Sequence, residues 1–227
     1  MTEKKNAGIK AAEYIEDNMI IGLGTGSTAY YMLERVGQLV NYGLNVKAVA
    51  TSLSTANIAA GFNIPLVPVD EVKRIDLAID GVDEIDGRFN AIKGGGGALF
   101  REKIIANLAD RVIWIMDSSK AVDAIGTFPL PVEILPYGCN HILRKMELLS
   151  MRPALRMKSN VPFLTDNHNY IVDLYIGKGF DIKYVSDELK AIPGVLETGL
   201  FLNMCDRIII GTKDGVKVIE NPGKLKY

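Results

Sequence analysis

Residues 19–28 read Met19-Ile20-Ile21-Gly22-Leu23-Gly24-Thr25-Gly26-Ser27-Thr28. A short apolar run passes directly into a loop of glycines and hydroxyls, and Ala29 to Leu39 continue at helical spacing, so the stretch reads as strand, tight loop and helix. Such a loop presents free N–H groups of the helix's first turn together with three hydroxyls, and an anion is its natural guest. Two nucleotide readings fail. The glycine spacing is G-x-G-x-G rather than G-x-G-x-x-G, and the next strand ends in Ala50-Thr51-Ser52 with no acid for a ribose hydroxyl; G-x-x-x-x-G-K-[ST] is absent. Taken alone, the loop is explained equally well by simple helix capping.

Outward from this point, strands and helices alternate. Strands are expected at 46–50, 65–69, 75–79 and 112–116, with helices at 29–39, 55–60 and 98–108 between them, which means a parallel sheet with crossover helices. Past Phe128 the texture changes. Pro129, Pro131 and Pro136 surround a short strand at 132–135 that is unsuited to a sheet interior. Beyond it the order β-α-β-β-α-β fits a ferredoxin-like unit. Residues 206–211 and 216–218, joined by the turn Lys213-Asp214-Gly215, are expected to rejoin the first sheet as a hairpin. The predicted fold is therefore α/β: a parallel-sheet domain over 1–127 plus 204–227, and a smaller ferredoxin-like α+β domain over 128–203.

Composition narrows the function. The chain has 227 residues, 26 Lys and Arg against 27 Asp and Glu, and a formal charge of −1, so no basic field exists to hold nucleic acid. No apolar run is long enough to span a membrane, and the N-terminus leads into no secretory apolar region, so a cytoplasmic location is expected. Cys139, Cys205, His141 and His168 form no ligand spacing, and packing or surface roles are expected for all four. Chemistry must come from carboxylates, lysines, hydroxyls and backbone amides.

Two further loops belong at the carboxyl ends of the strands, where parallel sheets bind ligands. Asp80-Gly81-Val82-Asp83-Glu84-Ile85-Asp86-Gly87 puts four acids within seven positions. An EF-hand frame with Gly87 as its sixth residue would start at Val82 and end at Lys93, so a calcium loop is rejected and no metal is expected. Glu84 and Asp86 read as solvated, whereas Asp80 and Asp83 can both face a pocket. The third loop, Lys93-Gly94-Gly95-Gly96-Gly97, carries four consecutive glycines, whose entropic cost points to a close backbone approach. Glu102 follows near the start of a helix. The i, i+3 spacing sets it on the face of Leu99 and Ile105, a partly apolar setting that raises a carboxylate's basicity while the helix N-terminus lowers it. By itself, a surface glutamate pairing with Arg101 or Lys103 is the stronger reading of the position.

In this order the three loops closely resemble the A type of ribose-5-phosphate isomerase. Asp117-Ser118-Ser119-Lys120, Phe128-Pro129-Leu130-Pro131-Val132-Glu133, Ile192-Pro193-Gly194-Val195 and Gly211-Thr212-Lys213-Asp214-Gly215 extend the resemblance over essentially the whole chain. It implies conversion of ribose 5-phosphate to ribulose 5-phosphate in the pentose phosphate pathway, without a cofactor, on a Rossmann-like domain plus a smaller α+β domain. It also implies a homodimer or homotetramer. Carried over residue by residue, it places Thr25, Gly26, Ser27, Thr28, Asp80, Gly81, Val82, Asp83, Lys93, Gly94, Gly95, Gly96 and Lys120 around the substrate, with Lys4 reaching the phosphate. Glu102 is then the catalytic base, with Asp80, Asp83 and Lys93 assisting. Val82, Gly97 and Phe100 depart from the family's usual residues.

That inventory suits the chemistry. Aldose-ketose interconversion moves a proton between C2 and C1 through an enediolate, which needs one carboxylate that takes and returns it. The oxyanion needs fixed donors, which Lys93 and the glycine amides can supply. Ring opening falls to Asp80 and Asp83. Two competitors remain at this level. A sugar-phosphate sensor would have no need of Glu102, and only about 19 residues precede the first strand, too few for a helix-turn-helix. A deaminase of amino-sugar phosphates, or an acyl transfer through glutamate, is the other; such deaminases usually rely on a histidine, and neither His141 nor His168 lies near the loops in sequence.

Overall fold

A computed structural model describes residues 2–224. In chain order the elements are α1 (Thr2–Ala12), β1 (Ile20–Leu23), α2 (Ser27–Asn41), β2 (Lys47–Ala50), α3 (Leu53–Gly61) and β3 (Leu77–Gly81). Next come β4 (Glu84–Ile85), β5 (Asn90–Ile92), α4 (Leu99–Leu108), β6 (Val112–Asp117), β7 (Leu130–Ile134), α5 (Cys139–Leu148) and β8 (Pro153–Leu155). The remainder is β9 (Met157–Lys158), β10 (Val161–Pro162), β11 (Tyr170–Leu174), α6 (Ile182–Lys190), β12 (Val195–Thr198), β13 (Leu200–Leu202), β14 (Arg207–Thr212) and β15 (Gly215–Glu220). The backbone divides into two compact units. One holds the residues up to Val82, Arg101–Ala121 and those from Asn203 onward; the other holds Asp83–Phe100 and Val122–Leu202. Residues 83–100, which the sequence reading puts in the first domain, count with the second unit in this division.

The first unit is built on a six-stranded sheet in the order β15-β14-β6-β3-β1-β2, parallel except for β15. Its inner strands are buried on both faces, as parallel strands under helices must be: all of β6 is buried except its last residue. On α2 the buried positions Thr28, Ala29, Met32, Leu33, Val36 and Gly37 recur at helical spacing and seat that face in the core. The core joins them to Ala7 and Ala11 of α1 and to Ile21, Leu77, Ile79, Ile113 and Ile209 of the sheet. As expected, the tail returns to this sheet as the β14–β15 hairpin. The strand expected at 65–69 is absent. Ala48 N–H donates to Pro65 O and Val67 N–H to Ala48 O, giving one bridge, and Pro65 and Pro68 lack the donors that would extend it.

In the second unit, β7, β8, β11 and β12 form an antiparallel sheet in the order β12-β7-β11-β8. Ile142 and Met146 of α5 and Val185 and Leu189 of α6 pack into its core. The strand around Pro131 lies inside this sheet and is wholly buried, contrary to expectation. The sheet tolerates the proline because its carbonyl accepts from Gly199 N–H at 2.7 Å on the side where β12 has already ended at Thr198, so the missing donor faces no ladder partner. The acidic stretch is also not all loop: β4 and β5 form a hairpin that pairs with β13.

Among the described residues no helix is long and apolar enough to cross a membrane, and no three His, Cys, Asp or Glu side chains gather at metal-binding distances. Cys205 is buried, and burial pushes its thiol up to about 12, which leaves it unreactive at neutral pH.

Candidate active site

Strand order reverses at β1. The chain leaves it for the edge strand β2 and returns to β3 on its other side, and a crevice opens at the carboxyl ends of parallel strands at such a switch point. The loop after β1 and the end of β3 flank it. Gly24 N–H donates to Ile79 O at 2.9 Å, while Thr25 N–H and Gly81 N–H donate to one oxygen of the buried Asp80 carboxylate at 2.9 and 2.7 Å. Gly24 has no alternative here, since a Cβ would lie 2.1 Å from Asp80 Oδ1 and 2.4 Å from Asp80 Cα. The Thr25 hydroxyl faces Thr51, Ser52 and Thr55 at 2.7, 2.9 and 3.0 Å, so it is engaged beneath the loop. Gly26 is the N-cap of α2 and, being glycine, offers no side-chain cap.

The N-terminal helix delivers a cation to this loop. Lys4 Nζ lies 2.8 Å from Ser27 Oγ and 3.9 Å from the Asp117 carboxylate at the end of β6. Glu3 fixes the helix by accepting from Ser118 N–H at 3.1 Å and Ser118 Oγ–H at 2.8 Å, in the turn that ends at Lys120. Lys4, Thr25, Gly26 and Ser27 line a cavity of about 600 Å³, whose apolar wall includes Tyr30, Tyr31 and Ile58. Hydrogen bonds from the Ser118 backbone and side chain hold Glu3 below its ordinary value of 4.5. Burial is the largest influence on Asp117 and pushes it up, but bonds from Ser119, with Lys4 and Lys120 nearby, leave it below its ordinary 3.8. Both carboxyls bind protons more weakly folded than unfolded, so the tether is at full strength above about pH 4.5 and is lost as pH falls through the lowered values. Glu3→Gln should therefore raise KM for a phosphorylated substrate about three- to tenfold with kcat nearly unchanged. Steady-state kinetics at neutral pH check this, and an unchanged KM would remove the tether from substrate binding.

Glu102 lies in the first turn of α4 and is only 5% exposed. Leu99 and Ile105, three residues to either side, are buried as well, so the i, i+3 reading of this face holds and the surface alternative does not. A carboxylate kept from bulk water beside apolar side chains is suited to taking a proton from carbon.

In the second unit, Asp83 accepts from Gly95 N–H at 2.8 Å. Lys93 is buried, with its ammonium 5.3 Å from the centre of the Phe201 ring. Gly94 O accepts from Gly97 N–H at 2.9 Å, closing a turn that leaves Gly95 and Gly96 exposed. Gly97 has φ +79° with the Phe163 ring directly over it, so any Cβ there is strained and also crowded. Two acids expected to be solvated are structural. Glu84 is buried and accepts from Gly126 N–H and Phe128 N–H at 2.8 and 2.9 Å, while Asp86 accepts from Arg88 and Asn90 N–H to shape the β4–β5 turn. Glu84 looks solvated in sequence because the amides that meet it lie about 40 residues away.

A family model of ribose 5-phosphate isomerase A (phosphoriboisomerase A) matches residues 47–215. The chain belongs to the ribose 5-phosphate isomerase A family. It is similar to the ribose-5-phosphate isomerase A of Streptococcus pneumoniae, 46% identical over 95% of this chain and 96% of that one. It is also similar to that of Bifidobacterium adolescentis, 45% identical over 97% and 96%. Among solved structures it is similar to a D-ribose-5-phosphate isomerase in complex with phospho-erythronic acid, with 39% identity, a TM-score of 0.91 and coverage of 96% and 97%. The Plasmodium falciparum ribose 5-phosphate isomerase matches at 37% identity and a TM-score of 0.91, covering 96% and 98%. In this isomerase family member the first unit thus carries Lys4, Thr25 to Thr28, Asp80, Gly81, Val82, Glu102 and Lys120, and the second carries Asp83, Lys93 and Gly94 to Gly96. The hydroxyls of Thr51, Ser52 and Thr55 beneath Thr25 were not expected. Their only sequence signal is the Ser/Thr-rich stretch after β2, whose partner becomes visible once β1 and β2 pair.

Proposed function

We propose that this chain interconverts D-ribose 5-phosphate and D-ribulose 5-phosphate through an enediolate, with Glu102 as the proton-shuttling base. The carrying observation is the buried carboxylate of Glu102 on a helix whose chain belongs to the isomerase family. On the opened aldose, Glu102 takes the proton from C2 as negative charge develops on O1. It then returns the proton to C1, while O1 gains a proton and O2 gives one up to complete the ketose. Lys93 and the amides of Gly94 and Gly96 stabilise the enediolate oxyanion, while Gly95 N–H holds Asp83, which shares the proton transfers of ring opening with Asp80. The phosphate binds at the Thr25–Thr28 loop with Lys4 and Lys120; the uncapped α2 N-terminus and the Lys4–Ser27 contact support this.

The first unit is read with this as Rossmann-like. The second is read as ferredoxin-like, supported by its β7-α5-β8-β11-α6-β12 sequence and its sheet order. A homodimer or homotetramer in the cytoplasm is proposed on the family resemblance alone. The chemistry needs no metal or cofactor. Purified protein should convert ribose 5-phosphate at an unchanged rate after exhaustive chelation and should leave glucosamine 6-phosphate untouched. Activity that disappears with chelator and returns with magnesium would make the acidic loop a metal site, and release of ammonia from glucosamine 6-phosphate would favour a deaminase.

A further inference from the structure

Arg156 is a half-buried cation in the second unit that the proposed mechanism does not use. Its guanidinium makes a two-pronged ion pair with Asp173 on β11, Nε to Oδ2 at 2.8 Å and Nη2 to Oδ1 at 2.5 Å, both side chains 16% exposed. The remaining nitrogen, Nη1, donates to two consecutive carbonyls of the glycine loop, Gly94 O at 3.0 Å and Gly95 O at 3.1 Å. The Phe163 ring lies beneath the guanidinium at 5.9 Å and also covers Gly97.

This contact fixes where the loop's donors point. In a trans peptide the C=O of one residue and the N–H of the next point in opposite directions, and among the described residues no peptide bond is cis. Drawing the Gly94 carbonyl toward Arg156 turns Gly95 N–H the other way, where it meets Asp83 Oδ2 at 2.8 Å. Drawing the Gly95 carbonyl to the same nitrogen likewise turns Gly96 N–H away from the guanidinium. Four consecutive glycines have no side chains to hold such an orientation, and their intrinsic freedom opposes it. A planar guanidinium braced by a carboxylate supplies the missing rigidity.

We propose that Arg156, braced by Asp173, is a positioning residue for the isomerase: it locks the Gly94–Gly95 carbonyls so that, on the opposite side, Gly95 N–H holds Asp83 and Gly96 N–H is pre-aimed at the enediolate. The inference rests on the function proposed above. It requires an effect concentrated on the transition state, because misaimed donors cost most where charge develops.

The test compares the parent with Arg156→Lys, Arg156→Ala and Asp173→Asn. In Arg156→Lys and Asp173→Asn, kcat should fall about 10- to 100-fold with KM within about threefold. Inhibition by 4-phospho-erythronate, whose carboxylate imitates the enediolate charge, should weaken by a similar factor, with circular dichroism matching the parent. Millimolar guanidinium ion should restore several-fold activity to Arg156→Ala, and ammonium ion should not. Folded variants with kcat within twofold of the parent would overturn the proposal. So would a fall in kcat that matches the fall in folded protein, and if Arg156→Ala does not fold, the two conservative variants decide. A parent that fails to isomerise ribose 5-phosphate would instead overturn the functional reading, which keeps the two failures distinct.

Discussion

Glu102→Gln should bind ribose 5-phosphate with near-parent affinity and turn it over about 10,000 times more slowly. The substitution keeps the side chain's volume and hydrogen-bonding shape in a buried position, so the helix face formed with Leu99 and Ile105 is preserved. What it removes is the basic carboxylate. General-base contributions run from about 100- to 10,000-fold, and abstraction from carbon belongs at the upper end, about 5 kcal/mol of barrier. Turnover by stopped assay and binding by calorimetry separate the two effects. A variant within a few-fold of the parent would pass the base role to Asp80 or Asp83.

Gly24→Ala should cost about 100-fold in activity and several degrees in melting temperature. The added methyl would overlap Asp80 Oδ1 and Asp80 Cα, so either the loop or β3 must shift. The strain falls in the range of about 1–3 kcal/mol typical of overpacking, which in a chain of this size lowers Tm by about 2–4 °C per kcal/mol. The activity loss is the larger effect, because Thr25 N–H and Asp80 are one hydrogen-bonded unit and a displacement near 1 Å can cost about 100-fold. Gly61→Ala is the matched control, since a Cβ there meets nothing within 4 Å. Equal behaviour of the two variants would show that the Gly24–Asp80 approach does not matter to the site.

What the sequence makes legible is local. The passage from Ile20 to Thr28 announces strand, loop and helix because each signal lies within one or two turns of its neighbour. Glu102 shows its apolar face through spacing alone. Features fixed by distant partners escape. Glu84 looks like one acid among several until residues 126 and 128 bring it their amides. Pro131 looks like a sheet breaker until β12 proves to end one residue short of it. Arg156 carries no signal of its own in the sequence, and its meaning appears only when residues 94 and 95, some 60 positions earlier, lie against it. The Thr51–Thr55 hydroxyls wait in the same way on the pairing of β1 with β2.

In the proposed mechanism one buried carboxylate, Glu102, carries a proton between adjacent carbons of a sugar phosphate. Proton NMR of ribose 5-phosphate in deuterium oxide, with parent and with Glu102→Gln, measures it directly. The C2 proton signal should disappear with deuterium incorporation as the parent equilibrates the two sugars, and neither change should occur on the same timescale with the variant. Exchange at C2 by Glu102→Gln at a rate close to the parent's would contradict it.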